Sequence, residues 1–346
     1  SITFPSTPFD PGAKETMSLE SVTRSLIEEF RSRPTLRAGS LIVTVFGDAI
    51  APRGGSVWIG SLIRVMADFG ISERLVRTSV FRLARDGWLD VEQLGRRSYY
   101  RLTEEGARRF AQATHRIYGE PRQSWDGNWI LVLTACLPAE KRELVRRELS
   151  WLGFAGIGND VLAHPSPDPV ELDAQLKQID AGELVVMHGR GAGPAAQNGA
   201  IRALVRKSWN LEDIEERYKA FLGRFRPVFA ASRRSKRVPP RIAFQVRTLM
   251  LQEYRKILLR DPLLPAELLP QTWHGVPAYQ LCRNLYRKVC NAADEYLGEA
   301  METAEGPLPP PSPEFFRRFG GLDAANGKIL KQATQARSTS EMRARE

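Results

Sequence analysis

Residues 71–103 read ISERLVRTSVFRLARDGWLDVEQLGRRSYYRLT, and the reading of this stretch decides the fold of the first third of the chain. Ser72 stands directly before Glu73-Arg74-Leu75, where its hydroxyl can accept from the free backbone donors of a helix start. Leu75, Val76, Val80, Leu83 and Ala84 then recur at helical spacing and define one apolar face. The opposite face carries Arg74, Arg77, Thr78, Arg82 and Arg85. Asp86-Gly87 ends the helix, because glycine enters the left-handed conformation without a steric penalty. Trp88–Val91 and Ser98–Leu102 read as two short strands joined around Gly95-Arg96-Arg97. A basic helix beside a basic-tipped hairpin is the pattern of a winged helix-turn-helix, with the helix in the major groove and the wing against phosphate or the minor groove.

Working outward, the preceding segment supplies the rest of such a module. Leu62, Ile63, Met66 and Phe69 mark a positioning helix that stops at Gly70, which leaves a short turn before Ser72. Val57-Trp58-Ile59 reads as a short first strand. Ser40–Gly47 is rich in β-branched residues and would be a strand by propensity alone; its place in the module makes it a first helix instead. Val22, Leu26, Ile27 and Phe30 give an amphipathic helix before Pro34, and residues 1–17 read as a disordered leader. Thr103 opens a further helix that runs to about Tyr118, which closes the winged domain at residues 18–120.

Pro121–Asn128 is a linker, and the pattern changes after it. The apolar strand Trp129–Thr134 leads to a helix with Leu144, Val145, Leu149 and Leu152 inward. Two extended pieces follow, around Gly153–Gly158 and Asp160–Ala163, then a helix from Pro169 to Ile179 and the strand Glu183–His188. The order βαββαβ over residues 128–190 is that of a ferredoxin-like domain. Residues 195–305 read as a helical C-terminal domain, interrupted by a basic connector at Ser232–Arg237 and a proline-rigid stretch at Asp261–Pro270. Residues 306–346 read as a disordered tail. The expected fold class is therefore α+β and multidomain.

Composition sets bounds on function. The 346 residues hold 50 Lys+Arg against 40 Asp+Glu, a net charge of +10 that favours a polyanionic partner. Between Leu62 and Leu102 the excess is eight arginines over five acids, so it is the arrangement of the charges that points to DNA. No apolar run approaches the roughly 18 residues of a membrane span, and membrane association is not expected. Three cysteines (Cys136, Cys282, Cys290) imply buried free thiols and a cytoplasmic location. The four histidines are isolated, so no metal site is expected. The glycine loop at Gly189–Gly199 departs from a dinucleotide fingerprint at Pro194 and lacks a parallel βαβ context. No nucleophile with its base and no paired catalytic acids are evident, and no cofactor or enzymatic activity is expected.

The motifs Arg77–Trp88 and Gly95–Thr103, with Thr44–Ile50, Tyr254–Pro265, Leu268-Leu-Pro270 and Trp273-His-Gly275, give a specific resemblance. Over roughly residues 38–300 the chain resembles the PaaX family of bacterial repressors of phenylacetic acid degradation genes. The resemblance implies a homodimer on a pseudo-palindromic double-stranded DNA operator, released when an aryl-CoA thioester such as phenylacetyl-CoA binds. Expected DNA contacts are Arg74, Arg77, Thr78, Arg82, Arg85, Arg96, Arg97 and Tyr99, with Arg74 and Arg77 nearest base edges. CoA phosphates call for arginines and the aryl ring for an apolar slot; the residues assigned to them are Arg190, Arg233, Arg234, Arg255 and Trp273. The middle domain also resembles a small CRISPR-associated nuclease in topology, but its first strand ends Leu133-Thr-Ala-Cys-Leu137 without the carboxylate such nucleases use. A ligand-independent DNA-binding regulator and an enzyme acting on acyl-CoA are the alternatives.

Overall fold

The computed structural model describes residues 17–33, 38–121, 125–179, 184–190 and 199–322. The leader and most of the glycine loop lie outside these residues, as does the tail beyond Leu322.

The chain opens with α1 (Leu19–Arg31), capped by the Ser18 side chain, and α2 (Ala38–Val45). The β-branched run Ile42–Val45 is helical because α2 is packed from two sides, by the later helix α4 (Glu73–Arg85) and by α10 (Pro240–Leu258). Burial of Leu41, Ile42 and Val45 outweighs the propensity cost, which is at most a few tenths of a kcal/mol per residue. α2 runs on into a π-helical turn, Phe46–Ile50, which places Asp48 in the interior. There follow β1 (Ser56–Trp58), α3 (Ile59–Ala67), α4, β2 (Leu89–Leu94), β3 (Arg97–Leu102) and α5 (Glu104–Tyr118). The three strands form an antiparallel sheet in the order β1-β3-β2. The hairpin is longer than its sequence pattern shows, and its turn is made by Gly95 and Arg96. Gly95 sits at φ +60°, where a side chain would be strained.

Residues 128–190 contain β4 (Asn128–Leu133), α6 (Ala139–Ser150), β5 (Ala155–Gly158), β6 (Val161–His164), α7 (Pro169–Ile179) and β7 (Val185–Arg190). The strands pair antiparallel in the order β5-β6-β4-β7. One sheet face covers a small separate core of Val132, Leu137, Val145, Leu149, Phe154, Leu162 and Leu172. The other face sends Trp129 and Ala163 into the main core.

The remaining helices are α8 (Gly199–Ser208), α9 (Leu211–Arg234), α10 and α11 (Gly275–Ala300). Ser232 is buried inside the last turns of α9, so the basic connector expected at Ser232–Arg237 shortens to the few residues before Pro239. The hydrophobic core is continuous from Leu19 to Leu322 and includes α2, α3 and α4 together with α9, α10 and α11. The N-terminal module therefore rests on the C-terminal helices rather than closing on itself.

The expected disorder after Gly306 is overturned for its first part. β8 (Glu302–Thr303) and β9 (Gly306–Pro307) form a small hairpin, and Pro313–Gly320 forms a kinked 3-10 segment. Phe315, Phe316 and Phe319 from this segment are buried, which compensates its proline-rich, irregular backbone. Cys282 and Cys290 are buried, but Cys136 is exposed just after β4, against the expectation of three buried thiols.

Candidate nucleic-acid interface and ligand cavity

The Ser72 hydroxyl accepts from Leu75 N at 3.4 Å and starts α4. Val76, Ser79 and Val80 are buried, which fixes the rotation of the helix. The opposite side then exposes Arg74, Arg77, Thr78, Arg82 and Arg85 together. Arg77 pairs with Glu73 at 2.7 Å and Arg85 with Asp86 at 3.3 Å. Both pairs are solvent-exposed, so they hold the arginines weakly and can be exchanged for phosphate or a base. Arg74 and Arg82 have no ion pair among the described residues. The Thr78 hydroxyl donates to Arg74 O at 2.8 Å and is turned back onto its own helix. One member of this face was absent from the sequence reading: Phe81 is 65% exposed among the arginines. Its signal was present in the helical periodicity, since Phe81 falls outside the apolar stripe.

The hairpin departs further from expectation. Arg96 is exposed at the turn. Arg97 lies over the Trp58 ring, 4.4 Å from its centroid, and pairs with Glu302 of β8 at 3.0 Å. Hydrogen bonding to Tyr99 and then to Glu302 raises the Arg97 pKa above its ordinary value. Tyr99 itself is only 6% exposed and sits between Trp58 of β1 and Glu92 of β2 in the sheet register. Tyr99 is thus no free DNA contact, and Arg97 is engaged with the body. For Arg97 the reason is the β8–β9 hairpin, which packs beside β1 and brings up Glu302. A residue two hundred positions away thus holds an arginine that local alternation leaves free.

α5 begins at the base of this hairpin. Thr103 caps the helix by accepting from Gly106 N at 2.8 Å and donates its hydroxyl to Gly87 O at 2.7 Å. Gly106 is required by close approach, because a Cβ there would stand 2.3 Å from Trp88 O. The far end of α5 reaches a cavity of about 360 Å³ bounded by α9, α10, α11 and the Asp261–Val276 stretch. Tyr218, Tyr254, Trp273 and Tyr279 line it with Leu258 and Leu264. Tyr218 and Trp273 meet edge to face at 5.6 Å. Arg116 from α5 reaches in and donates to Leu258 O at 2.9 Å and to Asp261 O. The Asp261 carboxylate accepts from the Tyr218 hydroxyl at 2.5 Å, and burial pushes its pKa up. The buried Tyr279 hydroxyl has no hydrogen-bond partner among the described residues. Tyr279 also lines an adjoining cavity of about 420 Å³ with Gln280, Arg283 and Asn284.

Of the expected effector residues, Trp273 alone lines this cavity. Arg255 is half-buried and bonded to Ser40 O at 3.1 Å and to Ser40 Oγ at 2.8 Å, tying α10 to α2. Arg233 and Arg234 are exposed at the end of α9, where Arg234 donates to Met17 O at 3.2 Å. They lie 15 and 16 residues beyond Tyr218 on one helix, about 23–24 Å at 1.5 Å per residue. Arg190 donates to Asp126 O at 3.3 Å at the end of β7. The five are therefore not one site. The cation that does line the cavity, Arg116, carried no sequence signal, since it ends an ordinary amphipathic helix.

An arginine-faced helix and a basic-tipped hairpin are set on a helical body. Residues 37–106 match the PaaX-like protein family and residues 209–299 the PaaX-like protein C-terminal domain. The chain is 37% identical over 285 residues to Transcriptional repressor PaaX of Escherichia coli K12, covering 82% of this chain and 90% of that protein. The chain belongs to the PaaX family. Among solved structures it resembles uncharacterized protein Rv0674 from Mycobacterium tuberculosis, with a TM-score of 0.50, 24% identity, and coverage of 75% of this chain and 99% of the other. That likeness concerns the fold alone.

Proposed function

We propose that this protein is a DNA-binding transcriptional repressor of phenylacetate catabolism, released from its operator by an aryl-CoA thioester. Its membership of a repressor family makes it a regulator rather than an enzyme. The observation that carries the DNA-binding part is the outward face of α4, where four arginines stand exposed on a helix whose other side is locked in the core. In this reading residues 38–118 are a winged helix-turn-helix with α4 as recognition helix and the β2–β3 hairpin as wing. The four-stranded β5-β6-β4-β7 unit is a ferredoxin-like domain that joins the head to the helical body. Arg74 and Arg77 meet base edges, Arg82 and Arg85 meet phosphate, and Arg96 contacts the backbone from the wing tip. A twofold homodimer places two such heads on half-sites about 34–36 Å apart, or a multiple of that, in a pseudo-palindromic operator.

The aryl-acyl end of the effector belongs in the aromatic cavity at the end of α5. Its volume suits an acyl group rather than a whole CoA, and Arg283 on the Tyr279 side offers a cation toward the nucleotide. A ligand releases DNA only if it favours the DNA-incompetent arrangement. α5 supplies the connection: it is held at the wing by Thr103 and at the cavity by Arg116, a helical span of about 20 Å.

The test is a titration of phenylacetyl-CoA into the protein–operator complex, followed by anisotropy. Release at micromolar ligand in the native protein, and resistance in Trp273→Ala, supports the reading. Retention of DNA at saturating ligand removes the effector assignment. Arg77→Ala is expected to lose roughly 1–3 kcal/mol of operator affinity with relaxed base preference. A uniform loss on all sequences would mean that Arg77 touches phosphate only.

A further inference from the structure

We propose that Phe81 is a base-reading residue that recognises thymine through its 5-methyl group. The proposal rests on α4 being the recognition helix, and names a contact that the charge pattern does not. At about 100° per residue, Phe81 lies within about 20° of Arg74 and about 40° of Arg85, so it sits at the middle of the basic face. Arg77 and Thr78, three and four residues earlier, flank it.

The aromatic ring at that place is 65% exposed. Phe81 makes no aromatic or cation–π contact among the described residues, and α4 already fills its side of the core with Val76, Ser79 and Val80. Exposed apolar side chains occur elsewhere on this chain, Trp151 and Val170 among them, but Phe81 is the one set among the arginines of α4, and that position is what singles it out. The surrounding arginines suit a polyanionic partner, and on a recognition helix lying in the major groove the middle of the outward face is the part that meets base edges. Every base pair edge there is polar except at the thymine methyl, the one apolar group the groove offers. Arg74 and Arg77 supply hydrogen bonds to purines, while Phe81 supplies the contact that distinguishes thymine from cytosine beside them.

The experiment compares the operator duplex footprinted by this protein with a duplex of the same sequence carrying deoxyuridine in place of every thymidine. This change removes the methyl groups and leaves the hydrogen-bonding pattern intact. Full-length wild type is expected to bind the uracil duplex about fourfold more weakly per half-site, the worth of one buried methyl at 298 K. Phe81→Ala is expected to bind the thymine duplex more weakly and to discriminate no longer between the two. Phe81→Leu, which keeps an apolar tip, should retain part of the discrimination. Two results would overturn the proposal: Phe81→Ala binding as tightly as wild type, or binding weakly with its uracil discrimination unchanged. A parallel measurement separates this from failure of the recognition-helix reading: in that case Arg77→Ala also keeps full operator affinity. Sedimentation of Phe81→Ala at assay concentrations must show the wild-type oligomeric state, and a shift toward monomer would reassign the ring to self-association.

Discussion

Replacement of Asp48 by alanine should be among the most damaging single changes available in this protein. The carboxylate is buried in the π-helical turn after α2. It accepts from the hydroxyls of Tyr118 at 2.8 Å and Tyr286 at 2.9 Å, pairs with Arg318 at 2.8 Å, and with Arg247 at 2.7 Å. These partners come from α5, α11, the 3-10 segment and α10, so one carboxylate joins the head to the body. Arg247 keeps a second carboxylate, Asp294, at 2.7 Å, but Arg318 has Asp48 as its only ion-pair partner among the described residues. Asp48→Ala thus strands a buried guanidinium and two buried hydroxyls. Breaking one buried pair costs about 3–5 kcal/mol, against a total stability of about 5–15 kcal/mol. The measurement is urea unfolding followed by intrinsic tryptophan fluorescence, with operator binding recorded in parallel. Arg318→Met added to Asp48→Ala should recover part of the loss, because it removes the unpaired charge. A loss below about 1 kcal/mol for Asp48→Ala, or no recovery in the double variant, would refute the reasoning. The acid dependence has a definite sign. Burial pushes the Asp48 pKa up, but Arg247, Arg318 and the hydroxyls of Tyr118 and Tyr286 together outweigh it and hold the pKa below its ordinary value. Its contribution is therefore complete above the unfolded carboxylate's pKa of about 3.9 and is lost as pH falls through the lower native value.

Three further outcomes are expected. Glu302→Ala frees Arg97 from β8, so binding to operator and random DNA alike should strengthen at low salt, with a salt slope steeper by about one counterion per protomer; an unchanged slope would show that Arg97 stays on Trp58. Arg96→Ala should weaken both kinds of DNA binding and flatten the salt dependence by a similar amount, and a loss confined to the operator would move Arg96 to base readout. Gly106→Ala drives a methyl into Trp88 O and should cost about 1–3 kcal/mol of stability, as overpacking does; thermal melts matching wild type would show that α5 can shift away from the hairpin at no cost.

Much of the arginine-faced helix and its hairpin was legible because it is local. The cap at Ser72, the apolar stripe through Val76 and Val80, and the hairpin around Gly95 follow from spacing and turn chemistry within thirty residues. The element order from Asn128 to Arg190 was legible for the same reason. The helix at Ile42–Val45 needed one step more, since only the module around it overrides β-branched propensity. The cavity lining was not legible. Arg190, Arg233, Arg234 and Arg255 are cations in one region of the chain, but a cavity is defined by which residues share a space.

The sequence by itself determined the arginine face of α4, because a helix's exposed side follows from its periodicity once its buried side is known. The tertiary structure alone decided how the wing and the cavity are made. β8 ties down Arg97, the segment around Phe315–Phe319 completes the core, and Arg116 shares a cavity with Trp273 and bonds to Asp261. These contacts join residues up to about two hundred positions apart, or more. No local pattern encodes such pairings: each half is an ordinary hairpin, helix end or proline-rich stretch until packing brings its partner to it.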